Sequence, residues 1–408
     1  EDGKVCSAGG LCANSVCVAY GKPRLFSKHF GGTSDDQWHG VVATEDLGAL
    51  LVGYTESGAK GGRDGWVVRI DRAGTQKWQH KVADNAKDSL LGITRLPQYA
   101  VAVGWTTANN QRDARAIAIA ADGTKVWEKT VKSAADDVAH AVVAGLNDGV
   151  VAVGRAGENP MIMGFSKVGD VSKKVIDAKH KGALVSAWPL PAGALAAAGT
   201  YTVDGKGTDC ALVFAQPNGT IVATKLLGGT GNERCSDVVG HQSGYALVGS
   251  EPFGGDKTRM TLWRVDSAGG LVFKRTWSDY PPSEGLAAAP TLGGGLQLGG
   301  RSFLNAQDMR VMHVNDFGQV DYAYNYGPGG FQEVRDIAVL PDGGMYVVGV
   351  DNYGGKGGYD GWVMRLDAWG YESCYESGGC ADTTYSSCAD TNPCTRDLCT
   401  QKKGCYHP

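Results

Sequence analysis

A short β-run that ends in glycine recurs seven times along the chain, and no other feature limits the fold as sharply. It reads Leu50-Leu51-Val52-Gly53, Val101-Ala102-Val103-Gly104, Val151-Ala152-Val153-Gly154, Ala196-Ala197-Ala198-Gly199, Ala246-Leu247-Val248-Gly249, Leu296-Gln297-Leu298-Gly299 and Tyr346-Val347-Val348-Gly349. The glycines step by 51, 50, 45, 50, 50 and 50 residues. A period of that length marks a solenoid or a propeller, in which each unit buries its apolar face only by stacking on the next.

A polar loop and a second alternating run follow each glycine, clearest as Asp64-Gly65-Trp66-Val67-Val68-Arg69-Ile70-Asp71 and Asp360-Gly361-Trp362-Val363-Met364-Arg365-Leu366-Asp367. Alternation with a period of two means strand. A turn glycine closes that run in every unit (Gly74, Gly123, Gly169, Gly219, Gly269, Gly318, Gly370), where a tight turn favours positive φ. A third run such as Lys77 to Val82 pairs with it, and the stretch Trp38 to Thr44 before the first glycine supplies a fourth strand. Segment Asp136 to Leu146 could be drawn as an amphipathic helix, but its register matches strand positions in the other units, and the repeat overrides the local pattern.

Four antiparallel strands in each of seven units predict an all-β, seven-bladed β-propeller. Blade seven is short of its last strand, because Tyr371-Glu372-Ser373-Cys374 replaces it. Residues 24–32 match the outer-strand segment Thr220 to Gly229, and residues 24–30 are expected to complete that blade, pairing two edges that would otherwise be open. The expected division is a disulfide-rich arm at 1–23, the propeller at 24–373 and a cysteine-rich tail at 374–408.

The pattern Gly31-Gly32, Asp36, Gly53, Asp64-Gly65-Trp66, Asp71, Gly74, Trp78 resembles the repeats of bacterial extracellular β-propellers over residues 24–370. The tail from Cys388 through Asp390, Asn392-Pro393-Cys394, Asp397, Cys399 and Gly404-Cys405 to Pro408 is similar to cysteine-rich repeats of secreted myxobacterial proteins. Neither resemblance implies a shared catalytic activity. Unit four departs from the repeat, lacking the opening Gly-Gly and its acidic residue, so its edge is expected to be irregular.

Charge and cysteine usage narrow the setting. The net charge is −4 and basic residues form no long run, so the footprint of a nucleic-acid binder is missing. No apolar stretch reaches the roughly 18 residues that span a bilayer, and Glu1-Asp2-Gly3-Lys4 is read as a processed start rather than a signal peptide. Cysteines cluster at Cys6, Cys12 and Cys17, at Cys210 and Cys235, and at Cys374, Cys380, Cys388, Cys394, Cys399 and Cys405. This pattern implies disulfides and secretion. Cys210 and Cys235 are expected to staple blades four and five, and the odd total of 11 leaves at least one cysteine without an intrachain partner.

Six units place an acid 15–17 residues before the repeat glycine: Asp36, Asp88, Asp137, Glu233, Glu284 and Glu333. A ring of such groups could take Ca2+, which binds six to eight oxygens. The plainer expectation is that each accepts backbone N–H bonds at a strand-entry turn. The matched pairs Trp66 with Trp362 and Trp78 with Trp127 could stack on sugars, but the favoured role is packing between blades. The glycine-rich loops at 57–62 and 352–358 open strands, so they are hairpin loops and not phosphate cradles. No metal-ligand spacing among the histidines and no Gly-x-Ser-x-Gly elbow occurs.

The arms are too poor in apolar residues to form cores of their own, so something else must hold them. The expected function is a non-catalytic extracellular structural subunit whose arms mediate self-assembly into a layer or filament, with no cofactor, nucleic acid or membrane insertion. A lectin-like or adhesive propeller binding a glycan or cell-surface ligand is the alternative, and a propeller hydrolase or lyase ranks last.

Overall fold

In the computed structural model the described residues are 5–6, 10–13, 16–19, 25–82, 85–108, 110–255, 257–277, 283–303, 307–327, 329–371, 398–400 and 404–406. Seven four-stranded antiparallel sheets follow one another around an axis. Each blade opens with its innermost strand: Asp36–Ala43, Asp88–Arg95, Asp137–Ala144, Lys181–Pro189, Arg234–His241, Ser283–Pro290 and Gln332–Val339. Successive strands step outward, as Ala49–Thr55, Asp64–Ile70 and Gln76–Val82 do in blade one. The stretch from Asp137 is strand, as the repeat required. In blade seven Phe26–Phe30 pairs with Asp360–Leu366, Phe26 opposite Arg365 and Phe30 opposite Gly361, so the start of the ring completes its end.

Wedges of apolar side chains between neighbouring blades form the core. At the closure seam Trp38, Leu51, Trp66, Val68 and Ile70 of blade one pack against Tyr346, Val348 and Val363 of blade seven. Trp38 and Trp66 stack with ring centroids 4.4 Å apart. Trp66 and Trp362 are each only 5% exposed. Their indole N–H groups donate to Gln79 Oε1 at 2.9 Å and Ser27 Oγ at 2.7 Å. Trp78 and Trp127 latch each blade to the next: Trp78 donates to the Ala121 carbonyl and lies under Gly123, and Trp127 donates to the Lys167 carbonyl and lies under Gly169. Gly123 and Gly169, which receive these rings, have φ of 91° and 87°, a region where a side chain would be strained.

A second constraint explains the repeat glycine itself. Every inner strand carries a bulge, at His39, Leu91, His140, Val185, Ser236, Leu286 and Arg335. Just before each bulge a carbonyl turns toward the second strand. A Cβ on Gly53, Gly104, Gly154, Gly199, Gly249, Gly300 or Gly349 would lie 1.8–1.9 Å from that oxygen, so only glycine fits. In blade six the conserved geometry falls on Gly300, whereas the sequence count had placed it on Gly299. Two consecutive glycines there hide which one faces the bulge.

Blade four is the irregular one, as its missing acid suggested: Gly182 takes the acid's position, and a short 3-10 turn at Pro191–Gly193 links its first two strands. Outside the ring, short hairpins set Cys12 opposite Cys17 and Cys399 opposite Cys405 along the backbone. The expected bonding of the nine arm cysteines otherwise falls outside the described residues.

Candidate functional site

Inner strands begin on the face that also carries the loops between second and third strands. Four of the six singled-out acids, Asp36, Asp88, Asp137 and Glu233, stand three residues before their bulges and face the preceding blade. Glu284 and Glu333 stand two before theirs, so they point to the other side of the sheet. Ser283 and Gln332 occupy the positions equivalent to Asp36. The slip arises because the intervening turn varies, from 242–243 in blade five to 44–48 in blade one, and a count through it loses register. The six acids therefore do not line up in one register, and among the described residues no three His, Cys, Asp or Glu side chains converge as a metal cage.

Each gap has its own ties. Arg115 bonds both Asp88 and Glu128. Lys174 reaches Asp137 at 2.6 Å. Arg301 spans Glu284 and Glu333 at 2.7 and 2.6 Å. Asp36 accepts from Gly32 N at 2.8 Å, Ser57 Oγ at 2.7 Å and Thr55 Oγ1. Its neighbour across the seam is Asp360, which accepts from Gly357 N at 2.8 Å. A Cβ on Gly31 would lie 2.1 Å from Asp360 Oδ1 and 2.6 Å from Asp36 Oδ2, so the two carboxylates crowd one glycine. Burial, followed by repulsion from Asp36, pushes the Asp360 carboxyl above its usual range.

The equivalent pair between blades four and five is Asp209 and Glu233, beneath the loop Gly228-Gly229-Thr230-Gly231. The Cys210–Cys235 disulfide joins the same two strands beside them, as the spacing of those cysteines suggested. Burial and then Glu233 raise the Asp209 carboxyl, while Lys206 on the exposed turn pulls the other way.

Bulged residues surround the axis. His39, Leu91, His140, Val185, Ser236, Leu286 and Arg335 are all half-buried, each following a buried residue. Burial, then Arg155 and Arg112, lowers His140 to about 4, and burial, then Arg335, Arg63 and His140, holds His39 well below its usual value. One residue further on, Asp237 accepts from Ser186 Oγ and from Ala288 N of the next blade. Asp336 accepts from Val41 N across the closure seam at 2.8 Å. Burial pushes Asp237 to about 6 and, with Asp237 nearby, Asp336 to about 7. These carboxyls act as clasps between inner strands.

Sequence reasoning passed over Asp209, Asp237, Asp336 and Asp360 as site residues. A signal existed for Asp360, since Asp-Gly-Trp opens the third strand in both units one and seven. Asp237 and Asp336 recur in only two units, and their role depends on the bulge.

No family model matches the chain, and no curated protein does. Its fold is similar to that of the Neurospora crassa Pan2 WD40 domain, 8% identical, over 85% of this chain and 96% of that one, with a TM-score of 0.51. Drosophila Plexin A, solved in complex with Semaphorin 1b, is 10% identical over 93% of this chain and 92% of its own, with a TM-score of 0.51. The periplasmic gluconolactonase PpgL of Pseudomonas aeruginosa is 14% identical over 79% and 90%, with a TM-score of 0.48. Likeness at these identities is one of propeller fold.

Proposed function

We propose that this protein is a non-catalytic extracellular building block, a rigid disc whose terminal arms join it to the next copy. The observation that carries this reading is where the arms attach. Phe26 pairs with Arg365, and Asp367 N donates to the Tyr371 carbonyl, so both arms leave one corner of blade seven. Across the ring, the outer strands of blades three to five turn Ile176, Val222, Leu226, Leu271 and Val272 to solvent, exposed at 42–62%. An apolar, unpaired strand edge is a template for another chain. Arms on one side meeting an edge on the other make a heterologous contact, which propagates into open chains. The Cys210–Cys235 bridge supports an oxidising compartment. Polar groups such as Arg301 with Glu333, Asp237 with Ala288 N and Asp336 with Val41 N tie blade to blade, which fits a rigid scaffold.

Light scattering and negative-stain imaging of the intact chain test this reading. Ordered polymers are expected, lost when residues 1–23 and 374–408 are deleted and again in a Val222→Lys/Val272→Lys variant. A monomeric intact chain at every concentration would end the proposal. A second reading draws on the open groove at the closure seam, lined by His29, Thr55, Ser57, Gln79 and Lys81 beside Trp66, a donor-rich wall suited to a sugar. Glycan-array binding removed by Gln79→Ala would favour it.

A further inference from the structure

We infer that Asp209 and Glu233 hold a divalent cation, of the Ca2+ class, in the gap between blades four and five. This goes beyond the assembly reading and does not depend on it. Both side chains are more than nine-tenths buried, at 6% and 8% exposure. Asp209 Oδ1 and Glu233 Oε2 accept no hydrogen bond among the described residues. They converge under one loop: a Cβ on Gly228 would lie 2.0 Å from Asp209 Oδ1, and one on Gly231 3.2 Å from Glu233 Oε1. Two bare carboxylates in a water-poor gap repel each other and have lost their hydration, a cost met only by a counter-charge or a proton.

The other gaps show what this one lacks. Asp88 has Arg115, Asp137 has Lys174, and Asp36 has a backbone N–H and two hydroxyls. Around Glu233 the position of Thr55 is taken by Glu251, whose own charge is met by Arg259 and Lys274 at 2.6 Å each. The loop that gives Asp360 its N–H donor, 352–359, is cut to 204–206 in blade four. Lys206 bears on Asp209 only from an exposed turn. A hard cation suits a pair of carboxylates, with loop carbonyls and water able to fill a six- to eight-oxygen shell. The disulfide beside the pair fixes the two strands before an ion arrives, which lowers the ordering cost of binding.

The test uses the full chain stripped with EDTA and titrated with CaCl2 by calorimetry, with thermal melts in EDTA and in millimolar CaCl2. The inference expects one ion per chain, a rise in Tm on the order of 2 °C or more, and loss of both in Asp209→Asn and Glu233→Gln. Absence of binding heat with identical melts overturns it, as does binding that survives both substitutions. Should a variant fail to fold, hydrogen exchange on the unaltered chain decides: Ca2+-dependent protection centred on 204–209 and 228–233 supports the site, and protection elsewhere or nowhere overturns it.

Discussion

Two gaps in this ring hold the same acidic pair and treat it in opposite ways. Between blades seven and one, Asp360 and Asp36 are wrapped by donors from a long glycine-rich loop and from Thr55 and Ser57. Between blades four and five, Asp209 and Glu233 have a short loop above them and a disulfide beside them. At the closure seam both acids are satisfied, and the blades are tied beside them by Asp36 N donating to the Tyr359 carbonyl at 2.6 Å and Tyr359 N donating to Asp35 Oδ1 at 3.1 Å. In the other gap a covalent staple already holds the blades, and among the described residues Asp209 Oδ1 and Glu233 Oε2 have no donor. Position in a repeat therefore sets where a carboxylate sits, and the neighbouring loop sets whether it stabilises the fold.

The sharpest way to break that comparison is to fill the glycine each pair crowds. Gly31→Ala meets two carboxylates that their donors lock in place and is expected to cost about 3 kcal/mol or more. Gly228→Ala meets mainly the free end of Asp209, which can swing aside, and should cost about 1 kcal/mol. Equal losses in denaturant melts would refute the difference in anchoring. Next in size is the staple. Cys210→Ser/Cys235→Ser opens a loop with a sequence separation of 25 and is expected to lose about 3 kcal/mol, with reducing agent lowering the Tm of the unaltered chain to match.

Charge removal should then act with opposite sign at the two gaps. Asp36→Asn breaks charge-assisted bonds and should destabilise by about 2 kcal/mol. Glu233→Gln in EDTA relieves an uncompensated charge and should stabilise by about 1 kcal/mol. A shared sign would show that the two pairs are equivalent after all. The clasps around the axis form an intermediate case, buried but satisfied. The folded-state values of Asp237 and Asp336, about 6 and about 7, lie above the ordinary carboxylate value. Their contribution is therefore complete below about pH 4 and is lost as pH rises to about 7. The lowered values of His39 and His140 act in reverse, costing stability as pH falls below about 6.5. Asp336→Asn should flatten the first slope alone, by about 1 kcal/mol or less per pH unit, as read from urea midpoints across pH 4–8.

Most of the fold was legible because a period of two inside a period near 50 residues leaves little choice. The glycines, the alternating runs and the orphaned segment ahead of unit one each pointed to the same ring. The candidate site was only half legible. Counting back from the repeat glycine found Asp36, Asp88, Asp137 and Glu233 but slid onto Glu284 and Glu333, because the count crossed a turn of varying length. Asp209 was invisible as a partner of Glu233, since the two belong to different repeats and meet only across a gap between blades.

What the sequence by itself determined is the number of blades, the strand that closes them and the staple between Cys210 and Cys235. These follow from local periodicity and from contacts between adjacent repeats. Tertiary structure alone decided which face each acid occupies, which glycine stands against the bulge, and which buried carboxylates are satisfied. A one-residue shift in a strand reverses a side chain, and the free energy of a buried charge depends on donors that loops of unequal length bring from other parts of the ring.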